Sequence, residues 1–492
     1  MGKSMTASEL AAQETRYGVV PMLKGDRVYS FWDTLWVAGA YGIATWCYFQ
    51  GGALASVMSF PQVILSSLGS ACAAIFLILA VAVFTCRYGI DHWIYSRAVF
   101  GWLGASALLL VTLSTTWGYE AINAQLYGSS IIQLANAAGA EVDAGWAKWI
   151  GLTCVFFGWV IAIRGAIAVK MATRVMGVML VSVGAMIVVI LLVRGDMSAL
   201  WSADPSAPLE SGIGSYMLGT EWNIAFVLGW FPVIGALARL GKTERGTTWG
   251  MFGGYAVLFA AFIVIGGAVA FVGIAAGADA SGDPTAYLMQ VGGTWLGGIS
   301  VLAIAIANIT TQAVATYLMS VSTKILNPTW NYKIIATFWC VLSAVLTAWG
   351  AIWDYYPTFL AVIGVISGPA LALLACDYWI VRRGRFNMGG LFKKGVYDYT
   401  VGFNLVAWVA FAAGAAGYFA VYDPINFAPR YEPIFNLFTA TGFAALLTAV
   451  VYVGLTRIPA LQRYVVRDTH LVRVGGTNEP AAPQPGQAPS LG

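Results

Sequence analysis

The sequence predicts an all-α polytopic membrane protein with twelve transmembrane helices. Ten of them form a five-plus-five inverted repeat, and two extra helices follow at the C-terminal end. Three observations predict this. Of 492 residues, 59% are hydrophobic and only 10% are charged, against roughly 25% charged in soluble domains. Twelve stretches approach the length of about 20 apolar residues that a helix needs to cross a bilayer. Finally, 23 of the 26 Lys and Arg fall on one side of the topology those stretches imply, the asymmetry that marks cytoplasmic loops. The composition excludes an ordinary soluble enzyme, a disordered chain and a nucleic-acid-binding protein.

The spans run at 31–55, 61–86, 100–127, 147–166, 171–194, 216–238, 249–277, 292–320, 332–352, 356–381, 402–421 and 434–456. Most are continuous apolar runs, which favours helices over the alternating segments of a barrel. The first 28 residues are polar and contain no apolar signal-peptide core. They read as a cytoplasmic tail holding Lys3, Arg16, Lys24 and Arg27. The outer connections hold only Lys148, Arg194 and Arg430, and are acidic instead (Glu141, Asp143, Asp196, Asp204, Glu210, Asp279, Asp283). The organisation is therefore a tail at 1–28, a first repeat at 29–195 (spans 1–5), a second at 196–385 (spans 6–10), spans 11 and 12 at 386–457, and a second cytoplasmic tail at 458–492. That last tail is expected to be disordered from 475, where it turns rich in Gly, Pro, Ala and Gln. The six Cys contain no CxxC pair and read as small apolar side chains. His92 and His470, the two His, lie in polar segments.

The repeat shows as two matched pairs. Val37-Ala38-Gly39 in span 1 is echoed by Val227-Leu228-Gly229 in span 6, and Thr115-Thr116 in span 3 by Thr310-Thr311 in span 8. Each pair is five spans apart, and an odd number of spans inverts the second copy in the membrane.

Chemistry concentrates around those echoes. Span 1 is interrupted at Trp36-Val37-Ala38-Gly39-Ala40-Tyr41-Gly42, and span 6 at Leu228-Gly229-Trp230-Phe231-Pro232. Paired breaks in corresponding helices point to a transporter's substrate and ion site; packing kinks are the competing reading. Span 8 carries Ala307-Asn308-Ile309-Thr310-Thr311-Gln312, whose hydroxyls and carbonyl are hard oxygen ligands suited to Na⁺. They are equally able to bond their own helix. Three acids fall within spans: Asp33 and Glu221 near helix ends, where they reach water, and Glu120 deeper, three positions after Trp117. A mid-membrane charge is costly and marks a functional position by default. Trp117 and Trp230 lie too deep for interface anchors and are able to sandwich a flat ring, or simply to pack.

The residues then show a resemblance to a family. Arg87-Tyr88-Gly89 with Ser96-Arg97-Ala98-Val99-Phe100-Gly101, Gly368-Pro369 with Asp377-Tyr378-Trp379-Ile380-Val381-Arg382-Arg383, and Tyr397-Asp398-Tyr399 with Gly402-Phe403-Asn404 resemble the nucleobase:cation symporter-1 family, over about residues 16–460. The resemblance implies a LeuT-type fold and alternating access, with Na⁺ as coupling ion and no cofactor. It implies a sodium site at the carbonyls of Ala38, Tyr41 and Ala307 and the hydroxyls of Thr310 and Thr311. It also implies a heterocycle stacked between Trp117 and Trp230 beside the backbone of Gly229, under a gate in span 10 flexed near Gly364 and Gly368-Pro369. Where relatives place amides around the ring, this chain has Gly42, Ala121 beside Glu120, and Thr316, with Gln312 as a compensating amide.

The expectation is a secondary transporter, not an enzyme, importing a small planar nitrogen-rich compound together with Na⁺. It sits in the plasma membrane, bacterial inner membrane by expectation, with both termini cytoplasmic. Its partners are a small-molecule substrate and the lipid bilayer, with neither nucleic acid nor an obligate protein partner. Two alternatives stand: proton coupling through Glu120, and a basic or guanidinium-like substrate read by Glu120 beside the Trp117 indole. A channel or a membrane-embedded enzyme has little support: there is no repeated carbonyl filter and no nucleophile–base pair.

Overall fold

Helix-starting side chains mark several of the elements around the site. The computed structural model describes residues 20–275, 284–352 and 354–466; the tail from 475, His470 and the acids Asp279 and Asp283 lie outside them. Helix α1 (Phe31–Gly42) starts at a capping box in which Ser30 and Asp33 satisfy each other's backbone N–H groups. Asp33 is thus a surface capping residue, as its place near a helix end suggested. After a turn at Ile43–Thr45, α2 (Trp46–Val57) completes span 1. A Ser59–Gln62 box with Pro61 in the first turn opens α3 (Phe60–Tyr88), which ends at Gly89 with φ +67°. Asp91 caps α4 (His92–Phe100), a helix between spans 2 and 3.

Spans 3 to 5 are α5 (Trp102–Ala137), α6 (Ala147–Ala162) and α7 (Ala166–Arg194). A single turn, α8 (Ala199–Ser202), leads to span 6, which is α9 (Gly212–Leu228), a 3₁₀ turn at Phe231–Val233 and α10 (Ile234–Ala238). Span 7 joins α11 (Glu244–Phe252) to α12 (Phe259–Ala275) through a π-helical turn. Span 8 is α13 (Pro284–Thr323), kinked at Gly293, where φ is +67°. Next come α14 (Tyr332–Trp349), α15 (Tyr356–Cys376), α16 (Leu405–Val421), α17 (Glu432–Phe438), α18 (Ala440–Leu455) and α19 (Pro459–Val465). Among the described residues one sheet occurs, the two-residue strands β1 (Tyr422–Asp423) and β2 (Ala428–Pro429) after α16.

Among the described residues, eight helices are long and apolar enough to cross a membrane, or nine when the bent pair Glu432–Phe438 and Ala440–Leu455 counts as one. The twelve spans read from the sequence divide differently for physical reasons. Span 1 is two 12-residue helices, each about 18 Å long. Helix α5 has the length, but buries Thr115, Thr116, Glu120, Asn123 and Gln125, and those inward polar residues dilute its hydropathy. Span 12, read as one run at 434–456, bends by 87° at Thr439, whose φ is +60°. Apolar side chains face outward, as in Phe76, Val178, Leu192 and Ile334, each more than 60% exposed. That pattern suits lipid as the surrounding solvent.

The three sequence motifs converge at the Lys/Arg-rich end. Asn404 donates through N to Phe100 O and through Nδ2 to Val99 O, and the N–H groups of Leu103 and Gly104 bond Gly402 O. Arg382 pairs with Asp377 at 2.8 Å, both fully buried, and donates to Ala98 O, Tyr399 Oη and Val465 O. Tyr95 and Tyr452 donate to the two oxygens of Asp377. Arg97 donates to Leu391 O and Ile325 O and lies 4.0 Å over the Trp102 ring. Burial pulls its pKa down to about 10, so it stays charged at neutral pH. These motifs build a hub that ties the Lys/Arg-rich end of span 10 to α4, span 12 and α19.

Candidate functional site

The helix of span 1 runs unbroken through Gly39 and Gly42, and its break falls just after the expected stretch at 36–42, at Ile43–Thr45. The glycines serve close packing instead. A Cβ at Gly39 would meet Leu258 Cδ1 at 2.7 Å, and one at Gly42 would meet Tyr255 and Phe259. Gly42 therefore faces span 7. At the break, Thr45 occupies the N-cap of α2 but leaves the cap unmade. Its hydroxyl donates to Asn308 Oδ1 on span 8 at 2.6 Å.

That bond opens a buried polar layer. Asn123 Nδ2 donates to Asn308 O at 2.8 Å and to Gln312 Oε1 at 3.2 Å. Gln312 has room because Gly158 lies against it: a Cβ there would sit 2.6 Å from Gln312 Cγ. Asn123 Oδ1, Asn308 Nδ2 and Gln312 Nε2 are buried without hydrogen-bond partners among the described residues. On the same stretch, Thr310 Oγ1 donates to Ala307 O at 2.8 Å, bringing two of the expected sodium ligands together. Thr311 Oγ1 donates to Met176 Sδ of span 5 at 3.0 Å. Span 1 reaches that corner too, since Gly177 lies against Ala40. Ala38 and Ala307 are each 1% exposed, and Tyr41 lies in the last turn of α1.

Around the span 6 break the environment is aromatic. Trp230 stacks on Tyr255 with ring centroids 5.4 Å apart, touches Trp46 at 5.7 Å, and lies parallel to Tyr119 at 6.5 Å and 9°. Tyr119 covers Gly229, where a Cβ would come within 2.8 Å of its ring. The expected Trp117–Trp230 pair is not a ring contact; Tyr119, two positions after Trp117, is the ring alongside Trp230. Trp117 is partly buried, and its Nε1 has no hydrogen-bond partner among the described residues. Sequence reasoning passed over Tyr119, although a tyrosine opposite a glycine at a helix break was a signal for it. It also passed over His92. That residue is fully buried under the break, where its Nδ1 accepts from Gly235 N at 3.0 Å, while Trp93 Nε1 donates to Pro232 O.

Glu120 is fully buried between spans 3, 8 and 9. Thr316 Oγ1 donates to one carboxylate oxygen at 2.6 Å, and Ser343 Oγ to the other. Two expected substrate residues, Glu120 and Thr316, are thus joined directly, and Ala121 beside them is fully buried. Glu221, expected to reach water, is 1% exposed and accepts from the N–H and hydroxyl of Thr441, at the N-terminus of α18. A carboxylate there is favoured by the helix dipole.

The family described as permeases for cytosine/purines, uracil, thiamine and allantoin matches residues 25–437. A purine-uracil permease of Arabidopsis thaliana is 23% identical over 430 residues, 80% of this chain and 69% of the relative. A hydantoin permease of Microbacterium maritypicum is 23% identical over 426 residues, 79% of this chain and 80% of the relative. Among solved structures, the inward-facing conformation of Mhp1 superposes with a TM-score of 0.72 at 16% identity, covering 90% of this chain and 96% of Mhp1. Mhp1 closed on bromovinylhydantoin gives 0.69 at 18% identity, covering 91% and 98%. A Na⁺-coupled sialic acid symporter gives 0.62 at 12% identity, covering 92% and 96%. These neighbours establish a LeuT-type fold. The chain belongs to the nucleobase:cation symporter-1 family: it is an integral membrane permease, a secondary transporter of nucleobase-like substrates.

Proposed function

We propose that the chain imports a small planar nitrogen-rich compound together with Na⁺, by alternating access. The observation that carries sodium coupling is the pair of span 8 threonines. Thr311 gives its proton to a thioether sulfur, a weak acceptor, so both lone pairs of its hydroxyl stay available to a hard cation. Thr310 Oγ1 and Ala307 O already lie 2.8 Å apart. The carbonyls of Ala38 and Tyr41, near the end of the helix that precedes the span 1 break, would complete the oxygen set. Substrate would lie beside Trp230 and Gly229, displacing the Tyr119 ring. A carbonyl on the heterocycle would satisfy Trp117 Nε1, a buried donor whose isolation costs about 1–3 kcal/mol. Glu120, Thr316 and Gln312 supply the polar wall that reads the ring's N–H groups. The proposed division is that of the two repeats at 29–195 and 196–385, with spans 11 and 12 appended, the basic end cytoplasmic, and the outer half of span 10 closing over the substrate. The test is uptake by reconstituted protein with Na⁺ replaced by choline at fixed pH. Uptake should collapse, and the Thr310→Ala/Thr311→Ala variant should be insensitive to the swap. Undiminished uptake in choline would sink the reading.

One observation favours a second reading, proton coupling. Glu120 is fully buried and its bonded partners are hydroxyls, whereas an ionised carboxylate at that depth calls for a cation. Glu120→Gln separates the readings. Under sodium coupling it changes substrate affinity about 10-fold, the value of a charge-assisted hydrogen bond, and leaves Na⁺ dependence intact. Under proton coupling it abolishes uphill uptake driven by a pH gradient.

A further inference from the structure

A cleft of about 460 Å³ opens at the basic end, lined by Arg87, Tyr378, Trp379, Ile380, Arg383 and Gly384, none of them a residue of the proposed substrate or sodium site. Its charge is unbalanced. Arg87 is held by Glu244 at 2.8 Å and by Tyr378 Oη at 3.0 Å. Behind it, Arg27, 5% exposed, donates to the carbonyl of Arg87. Arg383 is exposed, in a left-handed backbone conformation with φ +52°. Two guanidinium groups, Arg87 and Arg383, therefore line the cleft, and the carboxylate of Glu244 is already taken by Arg87.

The outer wall is apolar and faces where lipid must lie. Trp379 and Ile380 are 43% and 47% exposed. Trp379 Nε1 donates to Ala80 O of span 2, and Arg87 lies 5.8 Å over its ring. Phe76, four residues before Ala80 and 63% exposed, continues the same face one turn deeper into the span. A headgroup-sized basic cleft thus opens directly onto an exposed apolar track running along a transmembrane helix.

We propose that this cleft binds the phosphate of an anionic phospholipid, with Arg383, which has no ion-pair partner among the described residues, as its cation, the Trp379 indole at the headgroup level and an acyl chain along Ile380 and Phe76. Basic pockets between membrane helices at the cytoplasmic side take such headgroups, and an indole at that level is a usual interface anchor. A free phosphate would use the cation but gain nothing from the apolar track.

The probe is phosphatidylglycerol titrated into delipidated full-length protein, with bound lipid counted by native mass spectrometry and thermal stability read in parallel. Phosphatidylcholine and inorganic phosphate are the comparison arms. Arg383→Gln removes an exposed side chain, so the variant should fold. It is expected to weaken phosphatidylglycerol binding about fivefold, the effect of one basic residue at a membrane surface. Arg385→Gln, exposed but not lining the cleft, should leave binding unchanged. Trp379→Ala should weaken phosphatidylglycerol retention further without creating phosphate affinity. The site is overturned if Arg383→Gln and Arg385→Gln weaken binding equally, if phosphatidylcholine binds as well as phosphatidylglycerol, or if inorganic phosphate competes at equal concentration.

Discussion

Spans 1 and 6 occupy equivalent places in the two repeats, yet their breaks are built from opposite materials. The span 1 break is polar: Thr45 bridges to Asn308, from there amides continue through Asn123 and Gln312, and Thr310 bonds Ala307 O on the same stretch of span 8. The span 6 break is aromatic, with Trp230 among Trp46, Tyr119 and Tyr255 and with His92 and Trp93 beneath. The difference teaches how a duplicated scaffold divides labour. Backbone freed in a membrane must be re-satisfied. One copy does so with oxygen and nitrogen groups suited to a cation, the other with rings suited to a flat organic molecule.

Trp230→Ala should break the comparison most severely. Truncating a buried Trp costs about 3–5 kcal/mol, and the loss falls on the aromatic side alone. Substrate-induced thermal stabilisation should vanish while the shift produced by Na⁺ persists. If both shifts vanish, the two breaks are one cooperative unit and the division fails. The threonine double variant is the mirror experiment. It removes two oxygen ligands and should abolish the Na⁺ shift, leaving substrate binding in Na⁺-free buffer unchanged.

Much of this division was legible in the sequence. The echo of Val37-Ala38-Gly39 in Val227-Leu228-Gly229 fell on the span 6 break and ahead of the span 1 break, and the polar run at 307–312 stood out from an apolar helix. What stayed hidden was long-range. Gly39 and Gly42 look like helix breakers locally, but they are small because span 7 crosses them, and no local pattern reports a crossing. Glu120 shares a face with Trp117 at helical spacing, yet Thr316 and Ser343, 196 and 223 positions away, decide where its carboxylate is held. Tyr119 was obscured by the two tryptophans whose pairing seemed sufficient.

A smaller effect sharpens the polar side. Thr45→Val keeps the shape and deletes the hydroxyl that joins the break to Asn308. A hydrogen bond of this kind contributes about 1 kcal/mol, so apparent Na⁺ affinity in uptake should fall about fivefold, with little change in the affinity for substrate. An equal fall in both affinities would place Thr45 in the general stability of the bundle instead of in the ion side.

The smallest perturbation is the most selective. Gly229 has helical dihedrals, φ −57° and ψ −16°, so alanine is allowed there. Replacing a helical Gly with Ala gains up to about 1 kcal/mol of intrinsic propensity. The new methyl group meets the edge and hydroxyl of Tyr119 at 2.8 and 2.9 Å, with Phe226 O at 3.0 Å. A tyrosine ring can swing more cheaply than backbone can move, so Gly229→Ala should leave the melting temperature within a few degrees of the parent. The displaced ring, however, is the one parallel to Trp230. If Tyr119 fills the substrate's place, moving it changes which heterocycles bind, and a competition panel of nucleobases and hydantoins should be re-ranked while Na⁺ dependence stays constant. If the ranking is unchanged, Tyr119 is packing only, and the aromatic side of the comparison reduces to Trp230 and the backbone beside it.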